Sequence, residues 1–280
     1  MLIDLHTHST ASDGTQEPAE VVASARGAGL DVLALTDHDT TAGGDDATRA
    51  AVRLGVALVR GCEVSCADRG ISVHLLSYLH DPSAPALLAE MDKARSSRLN
   101  RARGMVERIA VDYPLDWADV QAMAGADATL GRPHIADALV ARGHVPDRDA
   151  AFASILASGS PYFVAHYAPD VVTAVRLVRE AGGVPVFAHP MACARGRVVG
   201  EDVIEAMIDA GLAGLEVDHR DHDEAARRRL RQIASAHGLF VTGSSDYHGA
   251  GKQNQLGENT TDPRALELIA EQGFLDVVRA

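Results

Sequence analysis

Short apolar runs alternate with amphipathic segments over both ends of the chain. The apolar runs predict seven β-strands, at residues 2–6, 32–36, 57–64, 71–79, 184–188, 214–218 and 240–245. Apolar positions spaced by three and four predict helices, at 17–29, 41–54, 171–181, 201–210, 223–237 and 263–272. Strands that alternate with helices are typical of parallel βα units, so the pattern favours an α/β fold.

The middle of the chain breaks this alternation. Between 82 and 170 the pattern predicts only helices, at about 85–110, 116–124, 132–142 and 147–157. We therefore expect a barrel formed by 1–82 and 170–280, with 83–169 as an α-helical insertion, or cap. The charged run from Lys93 to Arg103 is interpreted as a solvated helix face.

Length and composition restrict the class of protein. A chain of 280 residues with 46% hydrophobic content can form one large α/β domain with an insertion. Three cysteines without paired zinc spacing indicate free thiols in a reducing compartment. No apolar run approaches the roughly 20 residues of a membrane span, and no basic segment precedes the first strand. These features predict a soluble, cytoplasmic protein without membrane partners.

The charge balance restricts the partners further. The formal net charge is −13, and Lys93 and Lys252 are the two lysines in the sequence. Extended nucleic-acid surfaces are usually basic, so we expect a small anionic substrate or one end of a chain instead. Bound divalent cations would reverse the sign of the charge locally, so a phosphate substrate is compatible with this balance. The oligomeric state stays open.

Candidate chemistry begins at the first strand, where His6 and His8 point to the same side because alternate residues of a strand share a face. In parallel α/β barrels the carboxyl ends of all strands meet at one edge. The ligand-type residues at these ends are His6, His8, Asp13, His38, Glu63, His74, His189, Asp246 and His248. Nine residues exceed the shell of one ion, so two or three ions that share a carboxylate fit better. Glu63 is the one glutamate among them and is our candidate bridge.

Each position also has a non-catalytic interpretation. His74 can be a structural histidine, and Asp13 can be a turn residue of the Ser-Asp-Gly sequence. Asp37 and Asp39 can cap the following helix. Independent coincidences at six strand ends are harder to accept than one shared metal centre, so the joint pattern favours metal binding.

These motifs resemble a known family. His6-Thr7-His8, Asp13-Gly14, Thr36-Asp37-His38-Asp39, Gly61-Cys62-Glu63, Ala188-His189-Pro190 and Ser245-Asp246-Tyr247-His248 are similar, in order, to the motif series of the polymerase and histidinol phosphatase (PHP) superfamily. The resemblance implies a distorted (β/α)7 barrel with two or three ions, most commonly manganese, with iron or zinc as alternatives.

The same resemblance implies how the ligands divide among the ions. It assigns one ion to His6, His8, Glu63 and Asp246. It assigns a second to Glu63, His74 and His189, and a third, only partly occupied, to Asp13, His38 and His248. Some relatives have histidine at the position of Asp13.

Gly131-Arg132-Pro133-His134-Ile135-Ala136 in the insertion gives a narrower resemblance, to bacterial 3′,5′-nucleoside bisphosphate phosphatases. Close relatives there are also described as 5′–3′ exoribonucleases. The resemblance implies removal of the 3′-phosphate from a nucleoside 3′,5′-bisphosphate, for example adenosine 3′,5′-bisphosphate to AMP, and hydrolysis of short RNA from the 5′ end. A small nucleotide with two phosphates, or a short RNA end, is then the expected partner.

The chemistry follows from paired ions about 3.5–4 Å apart, which lower the pKa of a bridging water towards neutrality. The resulting hydroxide is expected to attack phosphorus in line while the ions stabilise the charge on the nonbridging oxygens. The leaving alkoxide needs a proton, for which His134, Asp246 and His248 are alternative donors. His134 can also contact the substrate.

Substrate-binding candidates are cationic. The guanidinium of Arg132 can pair with two phosphate oxygens, although a solvent-facing position at a helix start is the alternative. Arg195, Arg197 and Lys252 follow strand-end histidines and are candidates for a second phosphate. For His219 and His222, in a polar stretch after the sixth strand, a rim or surface position is preferred to ligation.

Three competing functions remain. A histidinol-phosphate phosphatase would share the metal residues and differ in the insertion. An amidohydrolase also opens with His-x-His, but it commonly bridges its metals through a modified lysine, and Glu63 occupies that place here. A non-catalytic PHP module is a different class. The complete ligand series argues against it, because such modules often lose ligands.

Overall fold

Seven strands form one sheet in the order β1 to β7. In this computed structural model residues 1–124 and 130–279 are described. The strands are β1 Ile3–Asp4, β2 Val32–Leu35, β3 Ala57–Asp68, β4 Ile71–Tyr78, β5 Val184–Phe187, β6 Gly214–Asp218 and β7 Phe240–Gly243. Thr7 and Tyr247 pair in parallel beyond the ends of β1 and β7 and nearly close the sheet. The expected seven-stranded α/β barrel is confirmed.

Helices follow most strands of the barrel. Their bounds are α1 Pro18–Gly27, α2 Gly44–Leu54, α7 Val171–Glu180, α8 Glu201–Asp209, α9 Glu224–His237 and α10 Pro263–Gln272. Local chemistry sets the ends of α9: the Asp223 carboxylate accepts a hydrogen bond from the Ala226 N–H, and Gly238 takes a left-handed conformation after the last turn. The parallel strands carry apolar side chains that are buried throughout β2 and β5, as a sheet inside a barrel requires.

The fourth strand departs from the parallel βα pattern of the rest of the sheet. β4 runs antiparallel to both β3 and β5. Only Arg69 and Gly70 separate it from β3, and two residues allow a hairpin but no helical crossover. Both have positive φ, 43° and 76°, as a tight hairpin turn requires. β3 is consequently longer than predicted, and Glu63 lies within it and not near its end.

Among the described residues, four helices lie between β4 and α7, and we call them the helical insertion. They are α3 Pro85–Ile109, α4 Trp117–Gln121, α5 Arg132–Ala141 and α6 Arg148–Ala153. They share an apolar cluster that includes Met105, Ile109, Leu139 and Leu156. Residues 125–129, between α4 and α5, lie outside the described part. The division into domains at 83 and 169 stays a prediction.

The charged run of α3 is exposed at Lys93 and Arg103, as predicted, but it is buried at two other positions. Arg98 and Arg101 are only 7% and 6% exposed. Arg98 donates to the Asp39 carboxylate at 3.2 Å and to the Ser65 hydroxyl. The prediction was wrong for these two arginines. Their three-residue spacing places them on one face of the helix, and that face packs against the barrel, where the partners of Arg98 are distant in sequence.

Two further findings concern cysteine and the membrane. Cys62 and Cys66 are buried free thiols, and Cys193 is an exposed free thiol. None of the helices described here combines the length and the apolarity that a bilayer crossing demands.

Candidate metal centre

The barrel brings all nine predicted ligand residues together at one end. Their nitrogen and oxygen atoms form four overlapping groups, each with its ligand atoms within 4.8 Å of one another. The groups are His8, Asp13, His38 and His248; His6, Glu63 and His189; His6, His8 and Asp246; and His38, Glu63 and His74. Since β4 runs in reverse, His74 reaches this end from the first half of its strand, opposite Ser65.

Glu63 lies at the middle of the cluster and is 1% exposed. Its Oε1 is 2.8 Å from His74 Nδ1 and 3.2 Å from His189 Nε2. Its Oε2 is 3.2 Å from His6 Nε2, from His8 Nε2 and from His38 Nδ1. The two oxygens therefore face different histidine sets, which is the arrangement that a bridging carboxylate needs.

The imidazoles of His6 and His8 face each other. Their Nε2 atoms are 3.0 Å apart. Asp246 Oδ1 lies 3.6 Å from the first and 3.4 Å from the second. Two nitrogens and two carboxylates aimed at one point form a donor set suited to a divalent cation.

A second group of candidate metal ligands lies around Asp13, beside the group formed by His6, His8 and Asp246. Its carboxylate is 3.3 Å from His248 Nε2, 3.8 Å from His38 Nε2 and 3.8 Å from His8 Nδ1. His8 Nδ1 is buried and lacks a hydrogen-bond partner within the described residues, and the buried His38 Nδ1 faces Glu63 without making a hydrogen bond. Buried nitrogens without partners are unusual in folded proteins and fit a coordinated ion. The residues present thus fit a group of divalent metal ions.

Glu216 supports the centre and was missed in the sequence. It accepts a hydrogen bond from His6 Nδ1 at 2.9 Å and from the backbone N–H of His189 at 2.7 Å. A carboxylate on Nδ1 fixes the tautomer of His6 so that the Nε2 lone pair faces the cluster. The available signal was an acidic residue in the middle of an otherwise buried strand, β6.

The electrostatics of the pocket favour cations. Burial alone would lower the pKa of His6, but Glu63, Glu216 and Asp246 outweigh it and raise that pKa well above its ordinary value. Burial alone would raise the pKa of Glu63, but His74 and His38 hold it well below its ordinary range. Carboxylates that stay ionised in a buried site create the negative potential that divalent cations require.

Asp37 and Asp39 brace loops and do not cap α2, so the capping interpretation is wrong. Asp37 accepts hydrogen bonds from the backbone and hydroxyl of Ser9, at 2.8 and 2.6 Å. Asp39 accepts from the backbone and hydroxyl of Ser65, both at 2.7 Å. Gly43 occupies the position before α2.

Backbone strain is concentrated around the centre. Asp39, His189 and Asp246 have φ values of 53°, 35° and 54°, a left-handed region that non-glycine residues rarely adopt. Such strain persists only where the surroundings enforce it, and it is common at functional sites.

Two of the loop cations are already engaged with acidic groups. Arg195 donates to Asp246 Oδ2 and to Asp221 Oδ2, both at 2.6 Å. Lys252 Nζ lies 2.9 Å from the same Asp246 oxygen. Arg197 is exposed and donates to the Gly70 carbonyl at 3.2 Å. Their binding of a second phosphate stays a prediction.

The expected surface position of His219 and His222 is wrong, although neither residue belongs to the four ligand groups of the centre. They are 0% and 4% exposed. His222 donates from Nδ1 to the Val217 carbonyl and accepts from the Met191 N–H, so it joins two loops. His219 Nε2 lies 3.7 Å from Asp246. The polar sequence around them suggested exposure, but the loop folds inward over the barrel end.

Arg132 and His134 lie in the first turn of α5. His134 accepts a hydrogen bond at Nδ1 from the Gly131 N–H, and burial lowers its pKa. Burial lowers the pKa of His248 to about 4, and that of Asp246 lies well below its ordinary value because Lys252 and Arg195 outweigh the effect of burial. For all three proposed proton donors these shifts are towards a lower pKa, which favours the deprotonated form. Arg132 donates to the Leu156 carbonyl at 3.3 Å.

The α/β barrel with its buried histidine and carboxylate cluster, taken together with the following comparisons, identifies a metal-dependent phosphoesterase. The PHP domain model matches residues 4–109. The 3′,5′-nucleoside bisphosphate phosphatase of Chromobacterium violaceum is 35% identical over 93% of this chain and 92% of that protein. The chain belongs to the PHP family.

Other relatives differ in their described activities. A 5′-3′ exoribonuclease of Haemophilus influenzae is 33% identical over 91% of this chain and 93% of that protein. A phosphoribosyl 1,2-cyclic phosphate 1,2-diphosphodiesterase of Eggerthella lenta is 35% identical over 89% and 95%. A crystal structure from Bifidobacterium adolescentis, described as a candidate metal-dependent phosphoesterase, is 43% identical with a TM-score of 0.94 over 97% of this chain and 96% of that one. Similar identities thus accompany different phosphate esters.

Proposed function

We propose that this enzyme removes the 3′-phosphate of nucleoside 3′,5′-bisphosphates. The observation that carries the proposal is the combination of the metal centre with a set of buried arginines on the insertion, which suits a substrate with two anionic groups. The C. violaceum relative, named for this activity, adds support. The substrate is then a small nucleotide and not an extended nucleic acid.

The nine residues of the centre would hold two or three divalent ions. The ligand atoms that the centre offers are nitrogen and oxygen. The thiol of Cys62, although next to Glu63 in sequence, contributes no sulfur because it contacts Met91 in the apolar core. This set suits manganese, iron or zinc, and we propose manganese. When bound, such ions supply Lewis-acid charge and lower the pKa of coordinated water.

The residues of the chain then position the substrate and the protons. Glu216 orients His6, while Arg195 and Lys252 restrain the outer oxygen of Asp246. His134, whose Nδ1 is an acceptor for Gly131, has Nε2 left for the leaving alkoxide. Since burial lowers its pKa, His134 would donate only after it takes up a proton, which an anionic substrate nearby favours.

The test is phosphate release by protein purified without chelator and supplied with manganese. Adenosine 3′,5′-bisphosphate, adenosine 3′-monophosphate, AMP and histidinol phosphate are compared by kcat/KM. We expect the bisphosphate to be the best substrate, with AMP as the product. Rapid hydrolysis of histidinol phosphate without turnover of the bisphosphate would overturn the proposal. Less than about two equivalents of metal, not restored by manganese, would favour a non-catalytic module.

Trimming of short RNA from the 5′ end is a second candidate, supported by the H. influenzae relative. Short RNA with a 5′-phosphate belongs in the same assay. Mononucleotide release that requires the 5′-phosphate is the expected result, and equal release from RNA with a 5′-hydroxyl would contradict it.

A further inference from the structure

Two arginines and a histidine of the helical insertion form a buried cationic cluster next to the metal centre. Arg98 and Arg101 are one turn apart on α3 and share a face. Arg101 donates to His166 Nδ1 at 3.0 Å. Because that nitrogen accepts a hydrogen bond, neutral His166 carries its proton on Nε2 and has a donor to offer.

The cluster adjoins the most exposed part of the centre. Arg98 contacts Ser65, which lies directly opposite His74 across the β3–β4 hairpin. It also contacts Asp39, the residue after His38. The His74 side chain is 26% exposed, whereas that of Glu63 is 1% exposed. A ligand that approaches through the opening at His74 therefore passes the arginines.

The positive charge of the cluster is only partly balanced by the residues described around it. Asp39 is the one carboxylate in hydrogen-bond contact with Arg98 or Arg101 in the ranges 1–124 and 130–279. The Nε atoms of both arginines are buried and have no hydrogen-bond partner there. Burial and the charges of Arg98 and Arg132 lower the pKa of Arg101 to about 8. Buried guanidinium groups with unused donors are costly unless an anion pairs with them.

We propose that Arg98, Arg101 and His166 bind the second, non-reacting phosphate of the substrate. This inference rests on the proposed function for the identity of the ligand. The reacting phosphate would bind where the nine ligand residues hold the metal ions, and the other phosphate would contact the arginines. Guanidinium groups pair with two oxygens of a phosphate at once, so the cluster favours bisphosphates over monophosphates. In this proposal the second phosphate contacts the cluster, and the earlier candidates Arg195, Arg197 and Lys252 stay an alternative prediction for the same role.

Binding of inorganic phosphate to chelator-treated protein tests the cluster without turnover. The comparison is between wild type, Arg101→Met and the control Arg103→Met, which changes an exposed arginine of the same helix. Isothermal titration should give equal affinity for wild type and the control. Arg101→Met should bind phosphate on the order of 10- to 100-fold more weakly, as expected for loss of a charged hydrogen-bonding group. Thermal unfolding verifies that each variant is folded, and Arg101→Lys should be intermediate.

The second measurement is selectivity with manganese present. The ratio of kcat/KM for adenosine 3′,5′-bisphosphate to that for adenosine 3′-monophosphate should fall on the order of 10- to 100-fold in Arg101→Met. Arg103→Met should keep both rates.

The outcomes separate this inference from the proposed function. Equal phosphate affinity in folded Arg101→Met and wild type, or no binding to either, overturns the cluster as a phosphate site even when the bisphosphate is hydrolysed. Suppose instead that Arg101→Met loses phosphate binding but wild type does not hydrolyse the bisphosphate. The anion site is then retained, and the proposed substrate is overturned.

Discussion

Glu216 makes its contribution to the centre through the orientation of its neighbours. It holds His6 Nδ1 and the His189 backbone and is fully buried. We predict that Glu216→Gln weakens metal binding about 10- to 100-fold while the fold is retained, because the amide holds the His6 tautomer less firmly. Metal titration after chelation measures the effect. The control Glu205→Gln, on the exposed face of α8, should bind metal as wild type does, and equal affinity in both variants would contradict the assignment.

If His134 protonates the leaving group, the effect of its loss on kcat depends on how stable that leaving group is as an anion. We predict that His134→Asn lowers kcat for adenosine 3′,5′-bisphosphate about 100-fold, because a sugar alkoxide needs a proton as it leaves. For p-nitrophenyl phosphate, whose leaving group is stable as an anion, the effect should be below about 10-fold. His237→Asn, on exposed α9, is the control. Equal losses for both substrates would show that His134 has another role.

Two buried thiols link stability to alkaline pH. Burial raises the pKa of Cys62 and Cys66 well above the usual thiol value. Above about pH 8.5 the unfolded chain releases these protons and the folded chain keeps them, so stability falls by up to about 1.4 kcal/mol per pH unit for each thiol. The double variant Cys62→Ala, Cys66→Ala should lose stability less steeply between pH 8.5 and 10 in urea unfolding.

Cys193→Ala is the matched control, since that thiol is exposed in the folded protein. Its slope with pH should follow the wild type. Parallel slopes for all three proteins would mean that the buried thiols do not determine the alkaline loss.

Arg98 shows why single residues were harder to predict than motifs. Its place in a charged run suggested solvent, yet its partners Asp39 and Ser65 are 59 and 33 residues away. Local sequence reports the face of the helix on which a side chain lies. It does not report which residues pack against that face.

At the scale of elements, two glycines allow a matched pair of variants. Gly70 forms the β3–β4 turn with φ of 76°, whereas Gly27 ends α1 in open space. We predict that Gly70→Ala destabilises the protein by about 1 kcal/mol, because alanine is strained at positive φ. Gly27→Ala should stabilise it by about 0.5 kcal/mol through helix propensity and a less flexible unfolded chain. Urea midpoints at pH 7 measure both, and equal shifts would contradict the turn assignment.

Most elements were predictable because their periodicity reports burial. α3 was predicted at 85–110 and extends over Pro85–Ile109. The direction of β4 was not predicted, because an apolar alternation has the same appearance in parallel and antiparallel strands. The short connection at Arg69 and Gly70 was the available signal.

At the scale of the whole molecule, metal ions should stabilise the barrel because their ligands come from both ends of the chain. Ions that bind only the folded state at 100-fold excess over Kd add about 2.7 kcal/mol for each site. We predict that chelation lowers Tm by about 5 °C or more, and that manganese restores it. Differential scanning fluorimetry measures the shift. An unchanged Tm after complete metal removal would contradict tight binding by the nine residues.

The sequence by itself determined the seven strands, most of the helices and the nine ligand-type residues, because burial, helix ends and side-chain chemistry are local properties. Only the tertiary structure decided which atoms meet: the pairing of His6 with Glu216, 210 residues away, the reversed β4, and the buried arginines beside His74. Such contacts depend on the closure of the barrel and on the packing of the insertion against it. Neither is encoded in the spacing of residues along the chain.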